Sequence, residues 1–191
     1  MGTSKPRSEQ QPKDLTPSLV TSLRKGDPEA RALLDRLYRD RIFRFCWGHL
    51  GTLEDAEDAV QEVLCKVLAA KRVPDAFRPW LYRVARNHCL NVQRRRARRK
   101  DKHALPSGSW LEEDQTGVST KLMNREQQSR LFHLLAALPV TYREVLQLRY
   151  TEDLSRAEIA EVLHIPESVV KSRLFDGLKK LRQHSSLLDE P

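Results

Sequence analysis

The chain is poor in the features that would mark it as secreted, membrane-bound or catalytic. Its three cysteines, Cys46, Cys65 and Cys89, are odd in number, form no CxxC pair and lie inside helical patterns. A disulfide framework is therefore excluded, and a reducing compartment is implied. No apolar run approaches the roughly 20 residues of a membrane span, and Met1–Asp14 is polar with no apolar signal-peptide core. The expectation is a cytoplasmic protein without membrane insertion. The six histidines show no HxxxH or HxE grouping, and there is neither a phosphate-binding glycine loop nor a nucleophile elbow. No catalytic residue, metal site or cofactor is expected, and an enzyme is disfavoured. Strand-type alternation is absent. With 39% hydrophobic residues in 191, the chain can build two small helical cores but not one large sheet core.

Positive charge is abundant and unevenly placed. The formal net charge is +8, with residues 1–100 carrying 22 Lys/Arg against 12 Asp/Glu and residues 101–191 carrying 12 against 14. A polyanion partner for the first half follows, either nucleic acid or an anionic membrane.

Chain punctuation divides the sequence. Residues 1–13, rich in Ser, Gln, Pro and Lys, read as a disordered tail. Leu15–Lys25 predicts a helix ended by Gly26. Asp27-Pro28-Glu29 supplies an N-cap, an N1 proline and a first-turn acid for a second helix to about Leu50. Gly51 stops it, and Thr52 caps a third running to about Lys71. A fourth follows Pro74-Asp75, with Pro79 in its first turn. Residues 101–120 lack a period and read as a linker. Helices are then predicted over Lys121–Leu138, Thr141–Tyr150, Ser155–Leu163 and about Pro166–His184. The fold class is all-α: a domain over 14–100 and a domain over 121–185, joined by a flexible linker, with a short tail at 186–191.

Three stretches carry chemistry. In LEDAEDAVQEVLCKVL (53–68), Leu53, Ala56, Val60, Val63, Leu64 and Val67 share one face. Glu54, Asp58 and Glu62 repeat at i, i+4 on the opposite face, flanked by Asp55, Glu57 and Gln61. Like charges at that spacing repel by a few tenths of a kcal/mol per pair, which a basic partner surface would relieve. An ordinary solvated face and a divalent-metal carboxylate site are the alternatives, the latter lacking ligands from a second element.

In FRPWLYRVARNHCLNVQRRR (77–96), Phe77, Trp80, Leu81, Val84, His88 and Val92 can turn inward. Arg83, Arg86, Asn87, Leu90 and Arg94 form another face, with Tyr82 to the side of both. Arg94–Lys100 holds only one uncharged residue, Ala97. This density exceeds what the helix dipole needs and suits phosphates, while arginines beside aromatic and amide groups suit unstacked bases. A membrane-surface helix would need an apolar face not committed to a core.

In SRAEIAEVLHIPESVVKSRLFDGLKKLR (155–182), Ser155 and Glu158 form a capping box, His164-Ile165-Pro166 makes a turn, and Val169, Val170, Leu174, Leu178 and Leu181 anchor a second helix. Its other side offers Glu167, Ser168, Lys171, Ser172, Arg173 and Phe175 to a major groove, as in a helix-turn-helix. A plain helical hairpin is the alternative.

Together these blocks resemble the extracytoplasmic-function (ECF) sigma factors. DAEDAVQEVLCKV (55–67), FRPWLYRVARNHCLNVQRR (77–95) and Leu138–Arg182 stand in the family's order, and the resemblance covers nearly all of residues 15–183. It implies a transcription initiation factor that docks on core RNA polymerase through Asp55, Asp58, Gln61 and Glu62. It implies melting and reading of the promoter −10 element by Arg72, Phe77, Arg78, Tyr82, Arg83, Arg86, Asn87, Arg94, Arg95 and Arg96. Ser168, Lys171, Ser172, Arg173 and Phe175 would read the duplex −35 element, and an anti-sigma factor would hold the protein inactive. Four positions depart from the family pattern: Asn91, His164 in the turn, Ser168-Val169 opening the recognition helix, and Asp176. A stand-alone helix-turn-helix regulator is the alternative function, but it would need neither the acidic stripe nor the RVARN block.

Overall fold

The computed structural model describes residues 17–102, 135 and 137–188. All regular structure among them is helical. The N-terminal tail, most of the linker and most of the helix expected over Lys121–Leu138 lie outside the described residues.

Helix α1 (Pro17–Arg24) buries Val20 and Leu23. The guanidinium of Arg24 bonds to the carbonyl of Val73, tying α1 to the loop before α4. Helix α2 (Pro28–Leu50) begins as its punctuation requires: the Asp27 carboxylate accepts from the Glu29 N–H at 3.0 Å, with Pro28 next in the chain. It ends at Gly51, whose φ of 84° is the left-handed cap that glycine adopts without a Cβ clash.

Helix α3 (Leu53–Leu68) is capped by Thr52, which accepts from the Asp55 N–H at 3.3 Å. Its buried face is Ala56, Ala59, Val60, Val63, Leu64 and Val67. Leu53, expected on that face, is instead 44% exposed at the first position of the helix. The helix stops three residues short of Lys71. Pro74 disfavours helical geometry at Val73, and Val73 instead buries its side chain and gives its carbonyl to Arg24. Helix α4 (Phe77–Lys102) holds Pro79 in its first turn and spans about 39 Å at 1.5 Å per residue. Helices α2, α3 and α4 pack pairwise around Leu34, Ile42, Phe45, Val63, Leu81 and Ala85, all at most 2% exposed.

In the C-terminal half, α5 (Val140–Leu146) does not run on to Tyr150 as a regular helix. It widens into a π-helical turn over Gln147–Thr151, closed by Glu152 N–H to Gln147 O at 3.2 Å. Residues five apart then share a face, so Gln147 and Glu152 both point toward the N-terminal half. Helix α6 (Arg156–Leu163) carries the expected capping box: Glu158 N–H to Ser155 Oγ is 3.2 Å and Ser155 N–H to Glu158 Oε2 is 2.7 Å. His164 adopts φ 53°, ψ 47° in the turn, and α7 (Glu167–Leu188) follows. Leu154, Ile159, Val162, Val170 and Leu174 close this smaller core. Burying each side chain of this kind contributes about 1.5–3 kcal/mol.

The two halves pack against each other. Helix α4 lies along α6, and the π turn sits against α2. None of the described helices is long and apolar enough to cross a membrane.

Candidate nucleic-acid interface

The acidic stripe on α3 is open. Glu54, Glu57, Asp58, Gln61 and Glu62 are exposed, and Cys65 beside them is exposed as well. Glu62 pairs loosely with Lys66 at 3.9 Å. Asp58 has no basic side chain in ion-pair range among the described residues. Asp55 differs: it is half-buried, bonded to Thr52 and paired with Arg96 of α4. Its burial would raise the carboxyl pKa, but the bonds from Thr52 and Arg96 and the charge of Arg96 prevail, and the net shift is downward. Arg96 also approaches the Leu50 carbonyl at 3.4 Å, so its charge is partly engaged inside the domain.

The basic helix is not open along its first three turns. Phe77, Arg78 and Tyr82 are buried, Tyr82 completely, correcting the expectation that Tyr82 lies to the side of the inward face. Its ring packs edge-on against Phe45, with centroids 5.4 Å apart. Arg83 and Arg86 are half-buried, while Arg72, Asn87, Arg94 and Arg95 are exposed. His88 stands half-buried with Nδ1 3.0 Å from Lys66 Nζ. Burial and then the Lys66 charge lower its pKa.

The contact between halves is built on four polar residues that sequence reasoning did not single out: His49 and Gln147, and the carboxylates Glu144 and Glu152. Glu144 accepts from Arg86 Nε and Nη2 at 2.8 and 3.1 Å, and lies 3.3 Å from His49 Nε2. Burial would raise its pKa, yet hydrogen bonds from His49 and Arg86 hold it below the ordinary value. Gln147 donates to the carbonyls of Arg44 and Phe45 at 3.0 and 3.2 Å. Glu152 is fully buried. It accepts from Tyr82 Oη at 2.6 Å and has Arg44 Nε at 4.0 Å. Burial pushes its pKa up to about 7, with the Tyr82 bond and the charges of Arg44, Arg41 and Arg78 offsetting part of the rise. Arg78 donates to the carbonyls of Glu152 and Asp153 at 2.9 and 3.0 Å.

On α7, Ser168, Lys171, Ser172 and Phe175 project to solvent, Phe175 being 71% exposed. Arg173 and Asp176 are half-buried. Glu167 pairs with Arg156 of α6 at 3.3 Å. A large exposed aromatic flanked by hydroxyls and a lysine, on a helix held by an apolar rear face, has the form of a groove-reading surface.

A family model described as Sigma-70 region 2 matches residues 34–99, and one described as Sigma-70, region 4 matches residues 128–181. The ECF RNA polymerase sigma factor SigW of Bacillus subtilis (strain 168) is 32% identical over 182 residues, covering 86% of this chain and 93% of its own. The chain belongs to the ECF RNA polymerase sigma factors. The ECF RNA polymerase sigma-E factor of Escherichia coli (strain K12) is 31% identical over 168 residues, covering 82% of this chain and 87% of its own. Two solved structures share the fold: CnrH in complex with the cytosolic domain of CnrY (TM-score 0.66, 21% identity, 90% of this chain and 96% of that one), and RpoE in complex with the anti-sigma factor NepR from Bartonella quintana (TM-score 0.62, 21% identity, 83% and 98%).

This ECF sigma factor is accordingly a transcription initiation factor. Its region 2 match takes in most of α2, all of α3 and most of α4, and its region 4 match takes in α5, the π turn, α6 and most of α7. The contact described above therefore joins region 2 to region 4.

Proposed function

We propose that the sigma factor divides its task among three surfaces. Asp58, Gln61 and Glu62 on α3, with Asp55 at their edge, dock on a basic surface of core RNA polymerase. The arginine side of α4, from Arg78 to Arg96 together with Arg72 and Asn87, takes the unpaired −10 strand, its guanidinium groups neutralising phosphates and stacking on bases, while the buried rings of Phe77 and Tyr82 support it from the core. Ser168, Lys171, Ser172, Arg173 and Phe175 on α7 read the −35 duplex. The chain catalyses no reaction of its own and works in the cytoplasm, where its free thiols stay reduced. Because CnrH and RpoE are each described in a complex, RpoE with an anti-sigma factor, a protein inhibitor of the same kind belongs to the proposal.

The observation that carries this reading is the uncompensated negative stripe. Exposed carboxylates repel one another along α3: among the described residues Asp55 pairs with Arg96 and Glu62 loosely with Lys66, while Glu54, Glu57 and Asp58 have no basic side chain in ion-pair range. A stripe left largely unneutralised among the described residues is suited to a basic partner.

The test is binding of labelled sigma factor to purified bacterial core polymerase. The Asp58→Arg/Glu62→Arg variant should bind at least about 30-fold more weakly, the equivalent of about 2 kcal/mol, with an unchanged far-ultraviolet circular dichroism spectrum. Equal binding by a folded variant would remove α3 as the dock.

A further inference from the structure

The first three turns of the α4 face assigned above to the −10 strand do not lie free in this structure, although Asn87, Arg94 and Arg95 beyond them are exposed. Arg78, Tyr82, Arg83 and Arg86 recur every one to four residues along it, and each meets an oxygen of region 4. Arg86 holds the Glu144 carboxylate through two bonds. Tyr82 donates to Glu152. Arg78 donates to two main-chain carbonyls and lies 3.7 Å from Glu158. Arg83 reaches Glu161 at 4.0 Å. A file of carboxylates set against a file of arginines presents the same chemistry as a phosphate backbone. The α3 stripe, by contrast, is uncovered.

We propose that this contact is an autoinhibitory latch: Glu144 and Glu152, with Glu158 and Glu161, occupy the α4 face in place of the DNA strand while leaving the polymerase dock open. The proposal rests on the −10 assignment. Its consequence is an order of events. The free sigma factor can meet polymerase through α3, but it reads the −10 strand only after region 4 has swung off α4.

The composition of the contact suits release. Within it, Glu152 Oε1 and Gln147 Oε1 are buried without a hydrogen-bond partner among the described residues. Both oxygens would be satisfied by water once the halves part, so opening regains solvation that closing forfeits. An interface of this polarity is the kind that moves, whereas a permanent one would be larger and more apolar.

Gly48 offers a way to prise the contact without touching any residue given a role in DNA or polymerase binding. It lies in the last turns of α2 directly under Gln147. A Cβ there would stand 2.6 Å from Gln147 Nε2 and 2.8 Å from Oε1, so Gly48→Leu must displace the π turn. The substitution suits the helix that carries it, leucine being the better helix former.

The experiment measures binding of the full chain to a fluorescein-labelled single-stranded DNA of about 20 mixed nucleotides at low salt, with the radius of gyration followed by small-angle scattering. Gly48→Leu should enlarge the molecule and tighten strand binding about tenfold, because apparent affinity scales with the open fraction. Glu144→Gln, which removes the charge clamped by Arg86, should shift both readings the same way. Adding Arg83→Ala/Arg86→Ala to Gly48→Leu should cancel the gain. An enlarged variant with wild-type strand binding overturns the latch. So does a wild-type chain that already scatters as an extended pair of domains, or no change in either variant. Failure of the −10 assignment shows itself separately: Arg83→Ala/Arg86→Ala would then leave transcription by the polymerase-bound factor unchanged.

Discussion

Replacing Glu152 by glutamine removes a negative charge from the centre of the region 2–region 4 contact with almost no change in volume. The buried carboxyl has a pKa of about 7 where the ordinary value is 4.5. Burial is the main cause. The Tyr82 hydroxyl and Arg44 and Arg41 of α2 with Arg78 of α4 restore only part of the lost solvation. The other titratable groups facing it, Tyr82 and Cys46, have their own pKa values raised and stay neutral through the same range. A pKa raised in the folded chain means that the fold binds this proton more tightly than the unfolded chain does. The stability it contributes is therefore complete below about pH 4.5 and is lost as pH rises through about 7. A shift of about 2.5 units corresponds to about 3 kcal/mol, and with the side chain at 0% exposure there is little water to screen it. The amide of Glu152→Gln can still accept from Tyr82 and has no charge to desolvate. Urea unfolding of both proteins should thus show near-equal stability at about pH 5 and a gap in favour of the variant that widens toward about 3 kcal/mol at about pH 8. At the higher pH the variant should also hold single-stranded DNA more weakly, its latch being tighter. A gap that stayed constant, or that turned against the variant as pH rose, would mean that the arginines keep Glu152 ionised and that burial does not govern the site.

Three further outcomes follow from local geometry. Ser155→Ala breaks the capping box of α6 and should cost about 1 kcal/mol in urea unfolding. His164→Gly relieves a non-glycine residue at φ 53° and should raise stability by about 0.5–1 kcal/mol, seen as a higher thermal midpoint. Phe175→Ala should leave stability within about 0.5 kcal/mol, because the ring is 71% exposed; it should lower retention of −35-bearing duplex by the polymerase-bound factor.

Local chemistry made much of this fold legible. The Asp27-Pro28 start, the Gly51 stop, the Thr52 cap and the Ser155–Glu158 box are interactions within three or four residues, and each stands in the structure where its residue types require it. The acidic stripe was equally readable, since a helical period alone places Asp58 and Glu62 on one face. The loop after α3 was less legible, because Val73 there gives its carbonyl to Arg24, a partner 49 residues away. The π turn and the burial of Tyr82 escaped for the same reason. Tyr82 meets Glu152 across 70 residues and Gln147 meets Arg44 across 103. Periodicity assigns a residue to a face of its own helix; it does not say which faces of two domains will meet. No local pattern marks Glu144 and Glu152 for burial, which comes from contacts with α2 and α4.

The most direct test of the surface assignments is transcription from a promoter library by bacterial core polymerase with the wild-type factor, Asp58→Arg/Glu62→Arg, and Arg83→Ala/Arg86→Ala. The account predicts promoter-specific transcripts with the wild type and their loss in the α3 variant together with core binding. In the α4 variant, core binding should persist while open-complex formation fails. Full transcription by the α3 variant, or an α4 variant that opens promoters as the wild type does, would contradict it.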